Sequence, residues 1–331
     1  MGSKAVKLGV LLAALAMVAV ACSSSSKASS SSSSSSSTSN ASTATTSGSS
    51  SSATGTTAAG GSASSGAAIP AATLDPAAVA LLPAATKSKG SLTVALDATY
   101  APDEMIDTDG HTIIGLDADL SVAIGQVLGL QTHLTNATFD TIIPGLQSGK
   151  FDVGNSSFTD TKDREKTVDF VTYFTAGEGY YVAANSSATF DGLDALCGHK
   201  VSVEAGTTEE SDAKGQTATC QKEGKPAVTV LSFQDQNAAN LAVSSGRAEL
   251  GFSDSQVAAY IVAQSNGQFK LVGQPFSTAP YGIAVPKNGL APALLAAVKD
   301  LMASGIYTKI LTKWGVQAGA ITNPVINGAT S

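Results

Sequence analysis

A single arginine sits in the charged run Lys162-Asp163-Arg164-Glu165-Lys166. A planar guanidinium grips a carboxylate through two parallel hydrogen bonds, which a lysine cannot match. The same run also reads as a solvated loop, and its composition alone leaves both readings open. Gly206-Thr207-Thr208 follows a β-branched stretch and precedes a helical one. Free N–H groups at such a helix start favour an anion, while Thr207 would serve equally as a plain N-cap. Asp254 follows the apolar stretch 250–252, at the strand end where α/β sheets hold ligands, and it too could simply cap a helix from Ser255. A cation and acceptors of these kinds are what a charged ligand withdrawn from water would need.

Other chemistries find less support. His111, His133 and His199 are isolated, with no Cys or His at ligand spacing. Asp117 and Asp119 lack the remaining oxygens and closing glutamate of a calcium loop and read as helix-start acids. There is no Gly-x-Ser-x-Gly elbow and no phosphate loop. No catalytic group, metal or cofactor is therefore expected. The formal net charge of −7 disfavours nucleic acid, which needs a basic face.

The elements that must position these residues alternate short β-branched runs with longer periodic ones, the pattern of an α/β fold. Strands are predicted over 92–96, 131–134, from 153, and over 200–203, 228–231, 250–252, 269–271 and 282–285, with a hairpin arm over 111–115 after Asp109-Gly110. Helices are predicted over 117–128, 141–147 despite Pro144, 236–245, 255–264, 291–303 and 307–313. Two apolar stretches, 179–184 and 281–285, flank a complete α/β unit. A chain that leaves one body, builds a second and returns makes two such crossings, so two lobes on a double hinge are expected. Their extents are 90–181 with 282–331 for lobe 1, and 182–281 for lobe 2.

The N-terminal region is of another kind. Lys4 and Lys7 precede an uncharged run from Leu8 to Ala21, the layout of a secretory signal over 1–21 and too short for a membrane-spanning helix. Ala19-Val20-Ala21-Cys22 resembles a lipobox, which implies that Cys22 carries lipid and anchors the chain to the outer face of the cell membrane. Residues 22–89 are rich in Ser, Ala, Thr and Gly and read as a flexible tether. Near its end, 75–82 could form one short helix, with Asp75 as N-cap and Pro76 in its first turn. Cys197 and Cys220 are the remaining cysteines; in an oxidising exterior a disulfide between them is favoured over two buried thiols.

Several segments, taken in order, resemble the polar amino-acid branch (family 3) of the ABC-importer solute-binding proteins. They are the stretch 92–102 ending Asp97-Ala98-Thr99-Tyr100-Ala101-Pro102, then Gly115-Leu116-Asp117, 139–152 from Phe139, 156–164, 204–209, 246–249 and 309–314. The resemblance covers residues 90–315. It implies a bilobed periplasmic-binding-protein type II fold closing on a ligand, an ABC permease as membrane partner, and a monomer. It assigns Arg164 to the ligand's carboxylate, with Thr207 and Thr208 as the second carboxylate contact. The ammonium would go to Asp254, the Thr159 hydroxyl and the Ser157 carbonyl. Tyr100 and Phe139 would sandwich the side chain, and Asp97 matches a position that accepts a distal cation in binders of basic amino acids. Asp160 departs from the pattern by replacing an aliphatic residue. Asp103 stands where an aromatic is frequent; it and Glu104 are either part of an acidic far wall or solvated loop residues. A basic or amide-bearing amino acid is thus expected over an acidic one. Alternatives are an enzyme of this fold, such as a cyclic-acid dehydratase with Asp254 as its cleft acid or base, and a ligand-sensing ectodomain. The ectodomain is disfavoured because no transmembrane helix or signalling domain follows Ser331.

Overall fold

The structure, a computed structural model, describes residues 69–330. The expected signal over 1–21, Cys22 and the tether as far as 68 lie outside the described residues. Helix α1 (Pro76–Ala80) begins as the sequence predicts, with Asp75 Oδ1 accepting from Ala77 N at 2.8 Å. Helix α2 (Ala84–Lys89) follows and ends on a left-handed Gly90. The expected tether is corrected here, because Ala78 and Leu82 are buried and Ile69, Ala72 and Val79 pack on the main core. Apolar side chains interrupt the Ser/Gly composition before residue 90, and their burial holds 69–89 onto the body.

Strand β1 (Ser91–Leu96) enters the core directly. Strands β2 (Thr99–Tyr100), β3 (Glu104–Ile106) and β4 (Ile113–Ile114) form a small antiparallel sheet, the hairpin expected around Asp109-Gly110. Helix α3 (Leu116–Leu128) stops at left-handed Gly129. Strand β5 (Gln131–Asn136), helix α4 (Phe139–Gln147), strand β6 (Val153–Gly154) and the long strand β7 (Asp169–Ala183) follow. Next come β8 (Lys200–Glu204), α5 (Thr208–Lys222), β9 (Thr229–Phe233), α6 (Gln236–Ser244), β10 (Leu250–Asp254) and α7 (Ser255–Gln264). The long strand β11 (Phe269–Val285) and helices α8 (Ala291–Ala303) and α9 (Ile306–Trp314) complete the order.

The larger sheet runs β5-β1-β6-β11-β7-β10-β8-β9, with β5, β1 and β6 parallel at one end and β10, β8 and β9 parallel at the other. Each end has its own pair of cores. At one end β1, α3, α8 and α9 pack on one face, while Phe139, Ile142, Phe158 and Phe170 pack on the other. At the other end Tyr180, Val201, Val203, Cys220 and Phe252 form one face, and Tyr181, Ala242, Val243 and Ala258 the opposite one. The result is two α/β lobes joined by β7 and β11. Cys197 and Cys220 are disulfide-bonded with Cα atoms 5.6 Å apart, tying the approach to β8 onto α5.

Along β7 and β11 the buried side chains pass from one lobe's core to the other's. Tyr173, Phe174, Ala176 and Tyr281 belong to the first lobe's core, whereas Tyr180, Val272 and Phe276 pack in the second. The β7–β11 ladder loses register between Val272 and Phe276 and again before Ala279. Gly177 and Ser277 lie in this interval, and a Cβ on Gly177 would come within 2.8 Å of the Phe276 carbonyl oxygen. Apolar stretches mark where strands are buried, not where they change lobes.

Candidate ligand cleft

Every ligand-contact residue named from the sequence borders one space between the lobes: Asp97, Tyr100, Phe139, Ser157, Thr159, Arg164, Thr207, Thr208 and Asp254. Glu104, Ser156, Glu204 and Glu209 border it as well. The free volume among them is about 10 Å³, room for about one water. A broader opening of about 630 Å³ adjoins it past Thr159, Arg164, Thr208 and Asp254, leading to Glu178, Asp212 and the hinge residues Ala176 and Ser277.

Arg164 lies in a short 3-10 turn after the β6 end, half-buried rather than in a solvated loop. Its Nη1 donates to Thr159 O at 2.8 Å and its Nη2 reaches across to Gly206 O at 2.9 Å. The guanidinium carbon stands 5.5 Å from the Phe139 ring centroid and 5.4 Å from that of Phe158, within range of a cation–π attraction to this stacked pair. Asp160, the departure from the family pattern, accepts from Gly328 N at 2.7 Å, and Glu165 accepts from Ala329 N at 3.1 Å. The segment carrying Arg164 is thus clasped at both ends by residues 328–329.

The second lobe supplies the start of α5. Thr207 is its N-cap, accepting from Glu210 N and donating to Glu204 O, so its hydroxyl is committed to the backbone. Thr208 Oγ1 faces Thr159 Oγ1 across the cleft at 3.2 Å. Gly206 adopts φ +84°, and a Cβ there would meet Asp140 Cβ of the facing lobe at 3.0 Å. Asp254 precedes α7 but makes no side-chain cap; it accepts from Tyr100 Oη at 2.9 Å instead. The capping alternative for Asp254 therefore does not hold, and its carboxyl faces the cleft.

Ser157 has φ +49°, a strained setting for a serine. Its amide donates to Asp117 Oδ2 at 2.7 Å and its hydroxyl to Asp103 Oδ2 at 3.0 Å. Asp103 and Glu104 are fully buried, so the solvated-loop alternative for them fails. Asp117 is also fully buried and accepts from Tyr173 Oη at 2.6 Å, which makes it more than a helix-start acid. Burial pushes Asp103 up to about 7, with the Asp117 charge adding to it, and pushes Asp117 up to about 6. Ser156 Oγ links this cluster to the cleft, accepting from Asp97 N and donating to Glu104 Oε1 at 2.8 Å. Asp97 accepts from Thr99 Oγ1 and from Phe139 N.

The electrostatics are one-sided. Among the residues bordering the inner space, Arg164 is the sole base against the five carboxyls of Asp97, Glu104, Glu204, Glu209 and Asp254. Buried carboxyl oxygens of Glu104, Glu204 and Glu209 have no hydrogen-bond partner. Burial moves Glu204 and Asp254 well above the usual carboxylate range. Glu204 and Glu209 went unassigned in the sequence reading. Glu204 shares the polar phase of β8 with Lys200 and Ser202, which on its own reads as a solvent face.

A two-lobed sheet with a charged cleft at the shared hinge defines a solute-capture protein. Residues 92–317 match the bacterial extracellular solute-binding proteins, family 3, and the chain belongs to that family. It is 34% identical over 254 residues to the arginine-binding protein ArgT of Corynebacterium glutamicum, covering 76% of this chain and 83% of the relative. With the ABC transporter glutamine-binding protein GlnH of Bacillus subtilis it shares 32% over 209 residues, 61% of this chain and 72% of the relative. The solved structure of an ancestral arginine-binding protein bound to glutamine superposes with TM-score 0.63 at 36% identity, covering 69% of this chain and 98% of that one.

Proposed function

We propose that this chain captures a basic amino acid, arginine foremost, outside the cell and delivers it to the permease of an ABC importer. The charge imbalance of the cleft carries the reading: an α-carboxylate answers Arg164 and an ammonium answers one acid, which leaves further buried carboxyls for a second cation. An acidic side chain would instead meet like charge in a low-dielectric space. The likeness to the arginine-binding protein ArgT supports this reading. In this scheme Arg164 and the N–H groups at Thr207 and Thr208 take the carboxylate, Asp254, Thr159 and the Ser157 carbonyl take the ammonium, and Tyr100 and Phe139 flank the side chain. An amino acid is larger than the inner space, so the Tyr100–Asp254, Arg164–Gly206 and Thr159–Thr208 contacts part to admit it.

The lobes follow the cores: residues from β1 to Ala176, together with those after Ala279, form one, and Glu178 to Phe276 the other. The cleft binds and releases without turnover, Asp254 acting as an ammonium acceptor. A monomer held by lipid on Cys22 completes the proposal. Thermal-shift screening against the twenty amino acids tests it, because a ligand that binds only the folded state raises its apparent stability. Arginine and lysine should shift the transition furthest, glutamine less, and aspartate and glutamate least. An acidic amino acid at the head of that order would refute it.

A further inference from the structure

We infer that Glu204 and Asp97 form a two-sided carboxyl clamp that exchanges a shared proton for the cationic end of the ligand side chain. The inference rests on the basic-ligand reading and adds to it a residue, a partner atom and a proton count.

Asp97 ends the first lobe's β1 and Glu204 ends the second lobe's β8, and both border the inner space. The two carboxyls face the same space from opposite lobes, near enough for the Asp97 charge to act on Glu204. Two carboxyls so placed are favoured when one of them holds a proton, since a pair of anions at short range repels. Asp97 is anchored locally by Thr99 Oγ1 and Phe139 N. Glu204 is 2% exposed, and its Oε1 has no partner at all. A buried acceptor left without a donor in a ligand cleft points to the donor that the ligand brings.

Among the described residues bordering the inner space, no cation other than Arg164 is present. Asp235 at the start of α6 and Glu209 on α5 act on Glu204 as further negative charges, and Asp235 acts so on Asp97. Glu104 of β3 and Asp254 of β10 complete the acidic lining, with the neutral Tyr100 hydroxyl between. Arg164 is turned toward Thr159 O and Gly206 O. Burial and the Asp97 charge together hold the Glu204 proton well beyond the usual carboxylate range, and burial raises Asp97 as well.

A guanidinium has donors along more than one edge, so one edge can serve Asp97 while another meets Glu204 Oε1. Once it lies between them, both carboxyls are stabilised as anions and the shared proton leaves to solvent. The exchange balances: one ligand cation enters, one proton departs, and the clamp's charge with its occupant is unchanged. A neutral amide side chain hydrogen-bonds the protonated pair and displaces nothing. An ammonium offers three donors on one point and spans the two carboxyls less well.

Calorimetry of L-arginine binding to the purified protein at pH 7, in two buffers of different ionisation enthalpy, counts the protons. Arginine should release about one proton more than glutamine, because the ammonium that Asp254 takes is common to both ligands. Arginine affinity should fall more steeply than glutamine affinity as pH is lowered from 7, by up to about tenfold more per unit. Glu204→Gln should abolish that difference and weaken arginine about thirtyfold or more. Asp103→Asn should keep the difference, which separates the clamp from the buried acids behind it. Glutamine binding by the Glu204 variant reports its folding, and the proton count on the native protein needs no variant. Equal proton release for arginine and glutamine, or the same difference from Glu204→Gln, would overturn the clamp and leave the basic-ligand reading standing. Acidic amino acids binding more tightly than arginine would overturn that reading and the clamp with it.

Discussion

Arg164→Ala should abolish high-affinity capture of every amino acid alike while leaving the fold intact. The guanidinium gives up two hydrogen bonds, at 2.8 Å to Thr159 O and 2.9 Å to Gly206 O, and its contact with the rings of Phe139 and Phe158. Because Arg164 is half-buried, water replaces much of this when the side chain is cut. The stability loss should stay near about 1 kcal/mol, a shift of roughly 2–4 °C in melting temperature for a body of this size. Binding differs, because a ligand carboxylate would be left buried with no cation. Truncating one partner of a desolvated pair costs about 2–5 kcal/mol, or roughly thirtyfold to several thousandfold in Kd. Arg164→Lys should recover only part of that, since a point charge cannot hold a carboxylate by two parallel bonds. Calorimetric titration of arginine, lysine and glutamine, beside a melting curve, decides the matter. A well-folded alanine variant with unchanged affinities would remove Arg164 from the site. Loss for arginine alone would mean that it reads the side chain and not the carboxylate.

Thiol titration of denatured, unreduced protein should find neither Cys197 nor Cys220 free, and replacing both by alanine should cost about 3 kcal/mol for a loop closed over a separation of 23 residues. Two reactive thiols would contradict the bonded pair. Gly206→Ala should weaken ligand binding about tenfold or more, because φ +84° and the approach to Asp140 both oppose a Cβ as the lobes close; scattering would show a more open solution shape, and a closed, fully active variant would count against this geometry. The buried acids give a pH dependence of definite sign: Asp103 at about 7 and Asp117 at about 6 lie above their unfolded values near 3.9, so the folded state binds more protons. Their contribution is complete below about pH 4 and is lost as pH rises toward 7, on the order of a few kcal/mol for the cluster. Asp103→Asn should therefore flatten the fall in melting temperature between pH 5 and 8, and an unchanged slope would rule the cluster out as its source.

Local signals were legible where local physics decides. Asp75 and Pro76 gave α1, Gly129 closed α3, and the strand-to-helix junctions at Gly206 and Asp254 fell where the sequence put them. The continuous β7 and β11 were hidden because Gly177, Gly179 and the stretch 273–279 break their apolar pattern at the crossing. The docking of 69–89 depends on Ile69, Ala72 and Val79 meeting a core that a low-complexity composition conceals. Glu204 was invisible for a related reason. Alternation along β8 assigns it to water, and only the closing of one lobe on another buries it at 2% exposure. Asp160 looked like a flaw in the motif until Gly328 N supplied its partner.

That partnership changes what residues 325–329 are good for. Val325 and Asn327 bond to β7, and the next two amides hold either end of the turn bearing Arg164. A tag or fusion appended here is consequently no neutral handle, since any load on it is passed to the binding arginine within a few bonds. The same closeness is an opportunity for sensing. An environment-sensitive dye on residue 330 would sit beside a segment that capture must perturb, and could report occupancy from outside the cleft with every ligand contact left native.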